Sequence, residues 1–105
     1  MITYHQFLVL SSACIWREEG QPFEGFVHFV VSSTEGDPRG DITEIDAQIA
    51  FDEALENQWI EIRESSDGSD QPFVYIADEG NAILDVHREF WRQKRSQLEK
   101  GKKRH

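Results

Sequence analysis

This 105-residue sequence has a single cysteine, three prolines and no long apolar run. Cys14 has no partner within the chain, which excludes an intramolecular disulfide and fits a reducing, cytoplasmic compartment. The apolar runs are short, Phe29-Val30-Val31 being typical, so no transmembrane helix is expected. Met1-Ile2-Thr3-Tyr4 opens without the basic region and apolar stretch of an export signal. His5, His28, His87 and His105 are scattered, and no short Cys/His pair has the spacing of a metal site. Carboxylates are abundant without marking an acid/base pair. Gly36-Asp37-Pro38-Arg39-Gly40 lacks the glycine spacing and the Lys-Ser/Thr of a phosphate loop, so it reads as a turn. His28 and His87 read as half-buried helix residues. The chain is therefore expected to be neither an enzyme nor a cofactor binder.

Positive charge is also scarce before residue 92. The chain carries −9 overall, and residues 92–105 hold seven basic side chains against Glu99 alone, which leaves about −15 on the first 91 residues. Residues 1–91 read as a single acidic domain, and 92–105 as a basic helix end and tail. Against these shortages stand 38% hydrophobic residues, including three Trp and seven Phe, enough for one small core.

Apolar spacing outlines the elements. Residues 4–18 carry apolar side chains on more than one face, as a largely buried helix does. Phe23, Phe26, Val27, Val30 and Val31 fall at i, i+3, i+4, i+7 and i+8, with Pro22 suited to the first turn of that second helix. Residues 32–40 read as a loop. A third helix begins at Asp41 or Thr43, Asp41-x-x-Glu44 having the form of a capping box. Its core face is Ala47, Ala50, Phe51, Ala54 and Leu55, with Ile42, Ile45 and Ile49 as a second stripe. Residues 59–63 and 73–76 read as two strands around a flexible tip at 65–71, with Ile60 and Ile62 on one face. Asp78 is placed to cap a last helix, with Gly80 in its first turn and Ile83, Val86, His87, Phe90 and Trp91 on its apolar side. The expected core is Phe26, Val27, Val30, Phe51, Leu55, Ile60, Ile62, Ile76 and Ile83.

Two segments resemble the winged helix-turn-helix superfamily. Leu55-Glu56-Asn57-Gln58-Trp59-Ile60-Glu61-Ile62 looks like the end of its third helix and the start of its wing. Val74-Tyr75-Ile76-Ala77-Asp78-Glu79-Gly80-Asn81-Ala82-Ile83-Leu84 looks like its second wing strand running into the closing helix. Gln58 stands where a Gly is common, Ala77 where a capping Thr is common, and the connection over 32–40 is longer than usual. The resemblance implies an α+β fold: a three-helix core, a two-stranded β wing and a long C-terminal helix.

It also implies DNA binding, commonly through the third helix, where basic and amide side chains read bases and phosphates attract positive charge. Here residues 41–58 hold six carboxylates and no Lys or Arg. The leading reading is therefore a regulatory or adaptor protein that binds a basic protein surface through Ile42, Glu44, Ile45, Gln48, Ile49, Asp52 and Glu53. The alternative is a DNA-binding transcriptional regulator that contacts phosphates through Arg92, Lys94, Arg95, Lys100, Lys102, Lys103 and Arg104. The surplus apolar faces of the first and last helices, with Phe90 and Trp91 outside the compact unit, predict a homodimer.

Overall fold

The computed structural model describes residues 2–15, 19–64 and 71–102. Helix α1 (Tyr4–Ile15) leads to strand β1 (Gln21–Pro22) and helix α2 (Phe26–Ser32). Helix α3 (Glu44–Glu56), strands β2 (Ile60–Glu64) and β3 (Pro72–Ile76) and helix α4 (Asp78–Lys102) complete the chain. This is the expected α+β winged-helix architecture with one addition: the sheet has three antiparallel strands in the order β1-β3-β2, not two. The tip expected at 65–71 lies, apart from Gln71, outside the described residues, as do Trp16, Arg17 and Glu18.

Pro22 belongs to β1 and not to the first turn of α2. Gln21 pairs with Val74 and Pro22 with Phe73, so β1 is an edge strand, where the missing N–H of proline costs no ladder bond. Gln21 is buried, and its side-chain amide donates to the Ser12 carbonyl, tying the strand to α1. α2 starts only at Phe26, after Gly25 in the left-handed region, and Phe23 stays outside the helix and exposed.

α1 is the hub, packing on α3, α4, α2 and β3. Val9, Leu10 and Ala13 are fully buried, and Phe7 and Leu8 nearly so, which accounts for its apolar residues on several faces. α3 presents Ala47, Ala50, Phe51 and Ala54 to the core, the alanines allowing close approach. Phe26, Val30, Ile60 and Ile76 are buried as expected, while Val27, Leu55 and Ile83 pack at the core's edge. Ile62 does not join them. β2 leaves the core after Ile60, so Ile62 has only the open face of the wing and is exposed.

Thr43, and not Asp41, is the α3 cap: its hydroxyl accepts the Asp46 N–H. Asp78 lies within the first turn of α4, where its charge meets the positive end of the helix dipole. Gly80 is there for space. A Cβ on it would stand 2.0 Å from the Trp59 carbonyl oxygen, at the start of the wing. The exposed Gln58 has φ +62°, the left-handed conformation that glycine adopts without strain, at the position where a Gly is common in the superfamily the sequence resembles. Gln58→Gly is expected to stabilise the domain by about 0.5–1 kcal/mol, backbone relief outweighing the extra freedom of the unfolded chain. A higher urea midpoint with an unchanged slope would show it.

The molecule is elongated, 53 by 24 by 22 Å, because α4 continues past the core. No helix among the described residues is long and apolar enough to cross a membrane.

Candidate functional site

The Thr43 cap fixes the phase of α3 and turns Glu44, Ile45, Gln48, Ile49, Asp52 and Glu53 to solvent. Ile42 precedes the helix and is 3% exposed, its N–H donating to the Thr34 hydroxyl. It belongs to the core, so the isoleucine stripe is divided: Ile45 and Ile49 are exposed by 74% and 53%. Glu44, Ile45, Gln48 and Ile49 form one wall of an open groove of about 610 Å³ whose other wall is Phe23, Val27 and His28. Asp52 and Glu53 lie outside that groove, with the Gln48 amide donating to Asp52 at 3.0 Å. His28 is exposed, not half-buried as expected, because α2 is one short helix whose outer side faces Glu44 across 3.4 Å. His87 is half-buried. The exposed face of α3 carries no cation. The wing adds little, since the Arg63 guanidinium is paired with Glu61.

The basic residues sit on α4. Arg92, Lys94, Arg95 and Lys100 are exposed, on a helix that runs unbroken from the wing to Lys102. Arg92 is paired with Glu89, and Arg95 with Glu99 at 3.2 Å. Arg92 and Arg95 border one cleft, whereas Lys94 and Lys100 project from other sides of the helix, as about 100° per residue requires. The Lys102 side chain, Lys103 and Arg104 lie outside the described residues. Trp91 is not outside the compact unit: its ring stacks on Phe7 at 6.0 Å and packs on Tyr4 at 5.4 Å. Phe90 is 46% exposed and meets Trp91 edge-on.

The most strongly perturbed electrostatics lie where the turn at 36–40 meets α1 and α4. Arg39 is held by Asp37 through a pair of side-chain bonds, Nη2 to Oδ2 at 2.8 Å and Nε to Oδ1 at 3.0 Å. Both side chains are about nine-tenths buried, and Arg39 also donates to the Trp91 carbonyl at 3.3 Å. Its guanidinium lies 5.2 Å from the Tyr4 ring centre and 5.7 Å from that of Phe7. Hydrogen bonds from Arg39 hold the Asp37 carboxyl below the usual range against the opposing effect of burial, and the same bonds raise Arg39. Burial, with Asp37 nearby, pushes the Tyr4 hydroxyl up. Sequence reading passed this cluster by. Asp37-Pro38-Arg39 does carry a local signal, an Asp two residues before an N–H it can accept, and Asp37 accepts the Arg39 N–H at 2.9 Å. The contact to Trp91, 52 residues away, has no such signal. Among the described residues no cluster of three His, Cys, Asp or Glu could hold a metal ion.

No protein-family model matches the chain. No curated protein matches it either. Solved structures do match, over nearly its whole length. A transcriptional regulator from Clostridium thermocellum is 17% identical with a TM-score of 0.61, covering 95% of this chain and 97% of that one. A PadR family transcription regulator from hypervirulent Clostridium difficile is 13% identical with a TM-score of 0.60, covering 93% of this chain and 97% of that one. A MarR family transcription regulator is 14% identical with a TM-score of 0.60 over 95% of this chain. This chain spans 58% of that protein's length. The likeness is one of fold: the chain has the winged-helix fold.

These neighbours correct the leading functional reading. An adaptor gripping a basic protein surface through α3 has no counterpart among them, since all three are transcription regulators, and they favour the DNA-binding alternative. The physical flaw lay in one step. An acidic α3 argues against that helix lying in a groove, but it does not exclude phosphate contact by another segment.

Proposed function

We propose that this protein is a DNA-binding transcription regulator, acting as a homodimer whose α4 ends supply the phosphate contacts. The supporting observation is the match in fold and length to the two clostridial regulators, each covered over 97% of its own chain. Arg92, Lys94, Arg95 and Lys100 provide exposed positive charge on the projecting end of α4, and Lys102, Lys103 and Arg104 extend it in sequence. The pairs that Arg92 and Arg95 make with their own helix are exposed, worth at most about 1 kcal/mol each, and easily exchanged for phosphate. Pairing two chains would set two such ends on separate stretches of one duplex.

The dimer contact is assigned to the side of α4 that carries Val86 and Phe90, exposed by 75% and 46%. The two lie about 40° apart on the helix, and both keep a large apolar surface exposed among the described residues. Sedimentation equilibrium should give twice the 12.2 kDa chain mass at micromolar concentration, and Phe90→Asp should return the monomer. A monomeric wild type would remove the dimer from the proposal.

Fluorescence anisotropy with a labelled duplex in low salt tests the DNA reading. Binding is expected for the full chain, and its loss when Arg92, Lys94, Arg95, Lys100, Lys102, Lys103 and Arg104 are all replaced by Gln. If the chain binds no duplex even in low salt, the reading fails.

A further inference from the structure

A second charged feature lies beside α4, away from the strip assigned to the dimer. Two adjoining cavities of about 320 and 280 Å³ share Phe7, Ser11, Ile15 and Arg88, so they form one cleft along the line where α1 meets α4. Ligand pockets start at about this size, some 300 Å³. The floor is apolar: Phe7 and Leu8 rise from the core, and Ile15 is 59% exposed. The rim is cationic. Among the described residues, Arg39, Arg88, Arg92 and Arg95 line the cleft against one carboxylate, Asp37, in a chain whose net charge is −9. Asp37 is already committed to Arg39. The other three guanidiniums lean on Asp85, Glu89 and Glu99 of their own helix, each with half or more of its side chain exposed. Such pairs are weak, and a guanidinium fork fits an incoming carboxylate with two parallel hydrogen bonds.

We propose that this cleft binds a small, elongated monoanion with an apolar body, of the medium-chain carboxylate class, its head on Arg88 and Arg92 and its tail along Leu8 and Phe7. The shape follows from the helices: Phe7 to Ile15 spans about 12 Å of α1, and Arg88 to Arg95 about 10 Å of α4. DNA phosphate would satisfy the arginines but has no apolar body to cover this floor. A second copy docking through Val86 and Phe90 leaves the cleft open, because Arg88 and Arg92 follow them by two residues, about 200° around the helix. Arg92 and Arg95 also belong to the phosphate contacts proposed above, so the test contains no DNA and the failure of either reading is seen separately.

Decanoate, decanol and inorganic phosphate are the probes, at millimolar concentration, with calorimetry as the measure of binding. Cys14 lines the cleft and its sulfur lies 3.9 Å from the Arg88 guanidinium, so alkylation of this lone cysteine by iodoacetamide reports occupancy at the site. Decanoate should bind saturably and slow the alkylation, while decanol and phosphate do neither. Arg88→Gln should weaken decanoate by about tenfold, the loss of one charge-assisted contact. Ser11→Leu, which fills the cleft from α1, should abolish binding. Both positions are outside the core, and circular dichroism checks that each variant is folded. Decanol or phosphate binding as tightly as decanoate would overturn the proposal. So would decanoate that leaves Cys14 unprotected, or an affinity unchanged in both variants.

Discussion

Asp37→Ala is expected to destabilise the domain by about 3–5 kcal/mol, because it strands the Arg39 guanidinium among Tyr4, Phe7 and Trp91 without its counter-charge. The loss is that of an uncompensated buried cation, so it exceeds the net worth of the ion pair. Asp37→Ala combined with Arg39→Met should therefore be less damaging than Asp37→Ala alone, since no charge is then left buried. The pH dependence has a definite sign. Asp37 has a lower pKa in the folded chain than in the unfolded one, so its stabilising contribution is complete above the ordinary carboxylate range. It is lost as pH falls through the lowered folded value. Urea midpoints of wild type and Asp37→Ala should thus lie far apart at neutral pH and converge in acid. A gap that stayed constant into acid would mean that the Asp37 charge is not what matters.

Phe51→Ala should cost a similar amount, about 3–5 kcal/mol. Phe51 is 2% exposed, with ring centres 5.5 Å from Phe26 and 5.8 Å from Phe23. Those aromatic neighbours come from α2 and its approach, which cannot collapse into the void without moving the short helix. For a domain of this size such a loss is a large part of total stability. Phe23→Ala, at a 42% exposed position, should cost much less. Equal losses at the two sites would contradict the core assignment.

The sequence is most informative where one local pattern decides one element. The i, i+3, i+4 spacing of Ala47, Ala50, Phe51 and Ala54 placed the face of α3 correctly, and burial on several faces was legible in α1. Gln58 marks a special backbone position that the superfamily resemblance brought into view, whereas the need for space at Gly80 came only with the packing of Trp59 against it. Pro22 misled because proline suits both a first helical turn and a strand edge, and pairing with Phe73 chose the edge. Ile62 misled because alternation shows which residues share a face without showing how far the core extends beneath that face. Ile42, Ile45 and Ile49 looked like one stripe because helical phase was applied to Ile42, which lies ahead of the Thr43 cap.

Function was less legible than fold for a related reason. Charge counts by segment are sequence properties, but which charges share a surface is decided by packing. Trp91, placed by sequence outside the compact unit, is fastened to α1 and to Arg39, so the basic residues that follow it are carried on a helix anchored to the core. The cleft beside them combines residues from α1, α4 and the turn at 36–40, three segments far apart in the chain.

The central claim is that DNA is bound through phosphate contacts made by the α4 end. The salt dependence of duplex binding by the full chain tests it most directly. Each neutralised phosphate adds about −0.9 to the slope of log affinity against log salt, so four contacts or more give a slope of about −3.6 or steeper. The account predicts such a slope for the wild type. It also predicts a slope near zero, with binding almost lost, for the variant carrying Gln at Arg92, Lys94, Arg95, Lys100, Lys102, Lys103 and Arg104. A variant that kept both the affinity and the slope of the wild type would contradict it.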